Sequence, residues 1–329
     1  MMEQIAICIG STVIYWSSVI ITLAIASAFA LSFSLYTANG GSRRTMWAYL
    51  PIAVFLSVIF SRFIHWYCHS EQYNGLIKAL TDYSTGGYCL PGVMLGMVLA
   101  VFVLKLLKLA PSKGDLFDAL APGAALGFAL IRLSSLFTSF CRGKIVIENP
   151  KFQQLPLGSG IVTTSGEIQY RFASFFVSFI LLSLLCAALL CFYGRNRRTV
   201  MKRGQPKGNT AIMFMLYFAA GEFIIDSSRY DSSFLRSNGF VSLMQILCAI
   251  IFVSVLLYYS INSVKANGVR RYHYVLWAAF LVAVGTTGYF EYLIQRHGDW
   301  YLLCYSVMTL TCSIMAAVPT ILYMSCRKE

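Results

Sequence analysis

Apolar windows long enough to cross a hydrocarbon core of about 30 Å as a helix recur from one end of this sequence to the other. That recurrence leaves few folds open. Only 12% of the 329 residues are charged and 58% are apolar, whereas a soluble domain usually carries about 25% charged residues. There is too little polar surface to wrap a soluble core. Nine spans are expected, over residues 11–36, 45–68, 86–110, 115–138, 168–194, 210–228, 238–262, 273–294 and 300–325. The expected fold is therefore an all-α polytopic transmembrane helical bundle. The first span is too long for a signal-peptide core and has no basic stretch before it, so it is expected to stay in the mature protein.

The ten cysteines show no C-x-x-C spacing, and most fall inside apolar spans where cysteine behaves as a small hydrophobe. The sequence thus implies no disulfide framework, no metal site and no cofactor. A net charge of +13 would suggest a nucleic-acid partner in a soluble protein. Here the positions of the charges matter more. Alternate connections are basic: Arg43/Arg44, Lys105/Lys108/Lys113, the run from Arg195 to Lys207, Lys265/Arg270/Arg271 and the terminal Arg327/Lys328. Cytoplasmic loops collect such residues, so the N-terminus is expected outside and the C-terminus in the cytoplasm. The Arg195 run is read as a topology-setting loop beside an anionic leaflet, not as a nucleic-acid site. Two longer outer segments, 69–85 and 139–167, could form a small cap, the second carrying Pro150 and Pro156. No internal repeat is visible, which weighs against a transporter built from inverted halves.

Ionisable residues inside the spans carry the functional signal, because each costs about 2.5–3.5 kcal/mol at a helix centre unless it finds a partner or a role. The fourth span has Asp115 and Asp118 at its inner end and Arg132 fourteen residues beyond Asp118, or about 21 Å further along a helix. Arg132 is thereby placed below the outer interface, where a guanidinium fork can clamp a lipid phosphate. The sixth span carries Glu222, Asp226 and Arg229 at i, i+4 and i+7, along one helical face. Arg62 and Arg171 are placed at a similar depth near the outer ends of the second and fifth spans. These charges either pair among themselves to hold the helices together or line a polar cavity. His65 and His69 are the histidines nearest that level; His273 is expected at an inner interface and His297 in an outer loop.

The stretch Asp118-Ala-Leu-Ala-Pro122-Gly-Ala-Ala-Leu-Gly127-Phe-Ala-Leu-Ile-Arg132 resembles the signature of the bacterial prolipoprotein diacylglyceryl transferases. Arg62, the glycines Gly92 and Gly96, Lys207-Gly208, the Asp226 to Arg229 spacing and the stretch Gly239 to Gln245 extend the resemblance over residues 11–262. It implies transfer of the diacylglyceryl group of phosphatidylglycerol to the thiol of a lipobox cysteine in a preprolipoprotein. It also implies that Arg132 holds the lipid headgroup and that Gly143 is the glycine of the following outer loop. The chain departs from the pattern at several positions. The family histidine is replaced at Leu90, its asparagine at Ser135, its glutamate at Phe140, and an arginine of the sixth span at Glu222. Where the family has tyrosine followed by glutamate, this chain has Tyr170-Arg171, so Arg171 and Glu222 read as a charge pair exchanged between spans five and six.

The combined reading is a multi-pass enzyme of the plasma membrane. Residues 1–262 are expected to form a transferase-like membrane domain and 263–329 two further helices. The candidate substrate-binding residues are Arg132, Arg229, Arg62, Arg171, Ser135, Gly143 and Asp226, with Glu222 or His65 as the proton acceptor. An anionic phospholipid and a preprolipoprotein signal peptide are the expected partners. Two alternatives stay open: a non-catalytic phospholipid- or lipoprotein-binding relative, and a small transporter.

Overall fold

A computed structural model describes residues 4–9, 12–73, 75–81, 87–163, 166–203, 207–235, 239–298 and 300–326. In chain order the elements are β1 (Ile5–Ile9), β2 (Thr12–Tyr15), α1 (Trp16–Ala38), α2 (Arg43–Cys68), α3 (Leu76–Thr81), α4 (Leu90–Leu106) and α5 (Lys113–Ser134). There follow β3 (Gly158–Val162), β4 (Ile168–Phe172), α6 (Ser174–Arg203), α7 (Asn209–Ser228), α8 (Leu243–Asn267), α9 (Arg271–Arg296) and α10 (Tyr301–Cys326). Eight of the helices are long and apolar enough to cross a membrane, and α4 is a shorter apolar helix of 17 residues at the ninth expected position. The protein is an all-α polytopic membrane protein; its strands form only two separate two-stranded ribbons among the described residues.

Several boundaries differ from the sequence expectation. The first span starts at Trp16, because β-branched Ile5, Ile7, Ile9, Thr12 and Val13 pair as an antiparallel hairpin ahead of it. The third is trimmed to Leu90–Leu106: Ser61 holds the Cys89 amide at 2.6 Å and its carbonyl at 3.0 Å before the helix, and Lys108 turns to φ 57 after it. The fifth loses its first residues to β4, where Arg171 lies on a strand ahead of the helix. At the other end the backbone of α6 stays helical through the basic run as far as Arg203, past the apolar stretch that ends at Asn196.

The chain divides into two compact units, one of residues 1–139 and 179–214, the other of 140–178 and 215–329. In the first unit helices meet backbone to backbone. A Cβ on Gly92 would lie 2.4 Å from the Phe60 carbonyl oxygen, and one on Gly96 would lie 2.4 Å from the Ser57 nitrogen. Gly123 and Gly127 do the same for α5 against α1, where added Cβ atoms would meet the Ser32 hydroxyl, the Ala28 carbonyl at 2.5 Å and the Ala28 methyl at 2.9 Å. Lipid offers no hydrophobic gain for helix association, so close approach through small residues at i and i+4 supplies the attraction as dispersion and short polar contacts. The Ser57 hydroxyl adds a bond to the Val93 carbonyl at 3.1 Å.

The same unit contains the N-terminal end of the signature helix. Ser112 caps α5 by accepting from the Asp115 amide. Asp118, buried in that helix, accepts from the backbone amides of Gly208 at 2.7 Å, Thr210 at 2.7 Å and Ala211 at 3.1 Å. Its carboxylate thus satisfies the open amides that begin α7 and meets the positive end of that helix. Asp115 pairs with Lys207 at 2.5 Å beside it.

The second unit is held together by side-chain hydrogen bonds. Thr287 and Thr311 join α9 to α10 at 2.7 Å. The Ser263 hydroxyl lies 3.0 Å from His273 Nε2 and 2.8 Å from the Ser325 hydroxyl, joining α8, α9 and α10. His273, expected at an interface, is fully buried in this contact.

Candidate functional site

In the first unit, Arg132 is buried in the last turn of α5, where a cation is favoured by the helix dipole. Its carbonyl accepts from the amide of Ser135, which ends the helix and is also buried. Arg62 is buried near the end of α2; its Nε donates to the Ala79 carbonyl at 2.6 Å and its guanidinium lies 5.3 Å from the Tyr88 ring centroid. Arg62 therefore ties α2 to the short α3. His65, one turn further, stacks on His69 with centroids 4.5 Å apart, and its Nδ1 lies 3.3 Å from the Tyr73 hydroxyl.

The second unit assembles most of the other candidates. Segment 141–147 runs between β4 and the end of α7. On one side Gly143 N donates to the Phe172 carbonyl at 2.7 Å, Phe172 N to Ile145 at 3.0 Å and Ile147 N to Tyr170 at 2.8 Å. On the other, Lys144 N donates to Ser228 at 2.7 Å and Tyr230 N to Arg142 at 3.1 Å. Gly143 is required by this packing, since a Cβ there would lie 2.8 Å from that of Phe172 and 3.2 Å from the Ser174 hydroxyl.

Asp226, in the last turn of α7, accepts a very short bond from the Ser242 hydroxyl, which also accepts from Gln245 N at 3.1 Å and so caps α8. Arg229 follows directly, 3.5 Å from Asp226 through one terminal nitrogen and 2.9 Å from Asp231 through Nε. The Asp231 carboxylate also accepts from the Cys141 amide at 3.0 Å. Burial pushes that carboxyl up, but Arg229 and the Cys141 amide outweigh it and hold Asp231 below the usual aspartate range. Burial works against the Arg229 cation as well, and its neighbours Cys141, Asp231 and Asp226 raise it well above the ordinary arginine value. Two carboxylates thus fix one guanidinium.

Arg171 does not meet Glu222. Its Nε donates to Gln169 at 2.9 Å, one terminal nitrogen reaches the carbonyls of Gly143 at 3.3 Å and Lys144 at 3.4 Å, and its guanidinium lies 5.1 Å from the Tyr230 ring centroid. The expected exchanged ion pair is corrected on this ground: a residue placed on a strand by the alternation of Ile168 to Phe172 points across the ribbon, not along a helix face. Glu222 is buried in α7, one turn before Asp226.

Several residues were not anticipated from the sequence. Asp231 and Arg142 lie in segments that read as loop, and Arg142 is fully buried with its guanidinium 4.3 Å from the Phe175 ring centroid. Lys144 reaches Gln295 at 2.7 Å, and Glu291, buried in α9, accepts from the Ser227 hydroxyl at 2.5 Å. A charged residue within an apolar span is itself a signal, and it would have singled out Glu291. No group of three or more potential metal ligands occurs among the described residues.

Residues 4–261 match the model of the family described as prolipoprotein diacylglyceryl transferase. This protein belongs to that family. The phosphatidylglycerol–prolipoprotein diacylglyceryl transferase of Oceanobacillus iheyensis is 23% identical over 259 residues, covering 76% of this chain and 87% of that protein. The Streptococcus uberis enzyme of the same name is 22% identical, with 77% and 95% covered, and a Clostridium botulinum one is 27% identical over 261 residues, with 77% and 96% covered.

In this family member the replaced positions Leu90, Ser135, Phe140 and Glu222 fall at distinct places. Leu90 opens α4, Ser135 follows α5, Phe140 is exposed just ahead of segment 141–147, and Glu222 is buried in α7. The match ends in α8, so α9 and α10 lie beyond it.

Proposed function

We propose that this protein transfers the diacylglyceryl group of phosphatidylglycerol to the cysteine thiol of a prolipoprotein. In that reaction a carbon–sulfur bond forms at the glyceryl carbon and the carbon–oxygen bond to phosphate breaks. The electron pair leaves with the phosphoglycerol headgroup, and the thiol proton passes to a base. The family match over residues 4–261 carries this reading, and it is supported by the signature helix, which holds Asp118 at the start of α7 and buries Arg132 fourteen residues later.

Arg132 and Arg229 are assigned to the phosphate, where fixed guanidinium groups stabilise charge gathering on the departing headgroup. Arg62 contributes by holding α3 and Tyr88. Asp226, Gly143, Ser135 and Arg171 set the backbone and orientation around those cations, and Glu222 or His65 accepts the thiol proton. Residues 1–262 form the transferase part and 263–329 add two helices, in keeping with the extent of the match. The basic connections support an outer N-terminus, a cytoplasmic C-terminus and residence in the plasma membrane, with the chemistry at the outer leaflet.

The test is expression in a cell depleted of its own transferase, together with transfer from labelled phosphatidylglycerol to a lipobox peptide by the purified protein. Growth and a labelled thioether product are expected. A folded, inserted protein that gives neither would overturn the reading in favour of a lipid- or lipoprotein-binding role. Reporter fusions after Gly158 and Gly208 should read external and cytoplasmic, and the opposite result at either site would sink the orientation.

A further inference from the structure

Helices α9 and α10 lie beyond the family match, yet both touch the end of α7 that carries Asp226 and Arg229. Glu291 of α9 is 1% exposed and accepts from the Ser227 hydroxyl at 2.5 Å and from the Gln295 side-chain amide at 2.7 Å. The oxygen of that same amide accepts from the Lys144 ammonium at 2.7 Å. From α10 the Tyr305 hydroxyl donates to the Ser227 carbonyl at 3.4 Å, and the Thr320 hydroxyl lies 3.1 Å from that of Tyr217 on α7.

The donors and acceptors in this chain run one way. Lys144 and Ser227 can each donate, Gln295 passes the polarity on through its amide, and Glu291 ends both paths as a pure acceptor. The carboxylate therefore joins two segments that the candidate site also joins by backbone: Lys144, whose amide binds the Ser228 carbonyl, and Ser227, which stands between Asp226 and Ser228. Burial pushes the Lys144 ammonium down while Glu291 and Asp226 oppose that shift, so the carboxylate also bears on the charge of the loop.

We propose that Glu291 is a positioning residue of the transferase, through which the two helices beyond the family match hold the end of α7 and the Lys144 loop in the geometry that presents Arg229. This rests on the function proposed above. Glutamine at 291 keeps the volume but turns an NH2 group toward a neighbouring donor, either Ser227 or Gln295, and removes the charge that faces Lys144 through one amide.

The experiment compares the full-length protein with Glu291→Gln in proteoliposomes of stated phosphatidylglycerol content. Transfer to a lipobox peptide, thermal unfolding and amide hydrogen exchange are measured on the same preparations. The expected result is a kcat about tenfold lower, a KM for phosphatidylglycerol within twofold, and faster exchange confined to segments 141–147 and 226–231. Unchanged kcat, or unchanged exchange in those segments, would overturn the proposal. If the wild type exchanges as expected but does not turn over, the transferase reading falls by itself, and the exchange comparison still decides whether Glu291 holds the two segments. Should Glu291→Gln fail to insert, Gln295→Ala keeps the buried carboxylate and its Ser227 bond, and loss of kcat with retained KM is again the expected result. Wild-type kcat in that variant would overturn the proposal.

Discussion

The two units use the absence of water differently. The first brings helix backbones into contact through Gly92, Gly96, Gly123 and Gly127. The second buries Asp226, Glu291, Arg142 and Glu222, and its helices meet through hydroxyls, carboxylates and amides. In the first, specificity is a matter of shape: any added atom pushes two helices apart. In the second it is a matter of pairing, because a buried donor or acceptor left without a partner loses its full desolvation energy. Shape tolerates no insertion, whereas a polar network tolerates some substitutions and fails at others.

The largest expected effect tests the shape side. Gly92→Val places a branched side chain where backbone lies 2.4 Å away, and such overpacking exceeds the usual 1–3 kcal/mol, roughly, because no flexible group can yield. No folded, inserted protein is expected from detergent extraction and size-exclusion analysis. Gly285→Ala is the control, since nothing lies within 4 Å of its added Cβ; it should be neutral or stabilising by up to about 1 kcal/mol. Equal tolerance of both would remove the contrast between the units.

Arg132→Ala should lower turnover on the order of 100-fold, the usual effect of removing one fixed donor from developing charge. Arg132→Lys should recover little of it, because the ammonium lacks the planar fork. Bound phosphatidylglycerol retained at the wild-type level in Arg132→Ala, measured by mass spectrometry of the purified protein, would place the headgroup elsewhere.

Asp118→Ala should cost about 2 kcal/mol in unfolding, as the Gly208, Thr210 and Ala211 amides lose their acceptor. It sharpens the comparison, for it is a charge-based contact inside the shape-based unit. Denaturant unfolding that matches the wild type would show that water satisfies those amides.

Asp231 supplies a pH test of the pairing side. Its carboxyl sits below the ordinary aspartate value when folded, so its contribution is present in full above that value and is lost as pH falls through the lowered one. The stability gap between the wild type and Asp231→Asn, about 1 kcal/mol, should stay flat from neutral pH down to the ordinary carboxylate range. Below it the gap should close. A gap that closes near neutral pH would contradict the Arg229 contact.

The smallest expected effect is a near-zero one. Arg171→Glu and Glu222→Arg should each be harmful, but in a double-mutant cycle their effects should add to within about 0.5 kcal/mol, because Arg171 is bound to Gln169, Gly143 and Lys144. Mutual rescue would reinstate the exchanged pair.

The sequence by itself determined the class of fold, since charge-poor windows of membrane length admit only helices whose backbone groups are satisfied within each segment. It also marked the signature helix from Asp118 to Arg132 and the Asp226 to Arg229 spacing, because those residues are local to one helix and their periodicity is readable. Tertiary structure alone decided which partners they have. Asp118 meets amides ninety residues away, Arg171 lies on a ribbon rather than a span, and Glu291 comes from a helix beyond the family match to reach Ser227. Such pairings depend on loop geometry and on helix rotation, which no local pattern encodes, and so the chemistry-bearing residues were legible while their contacts were not.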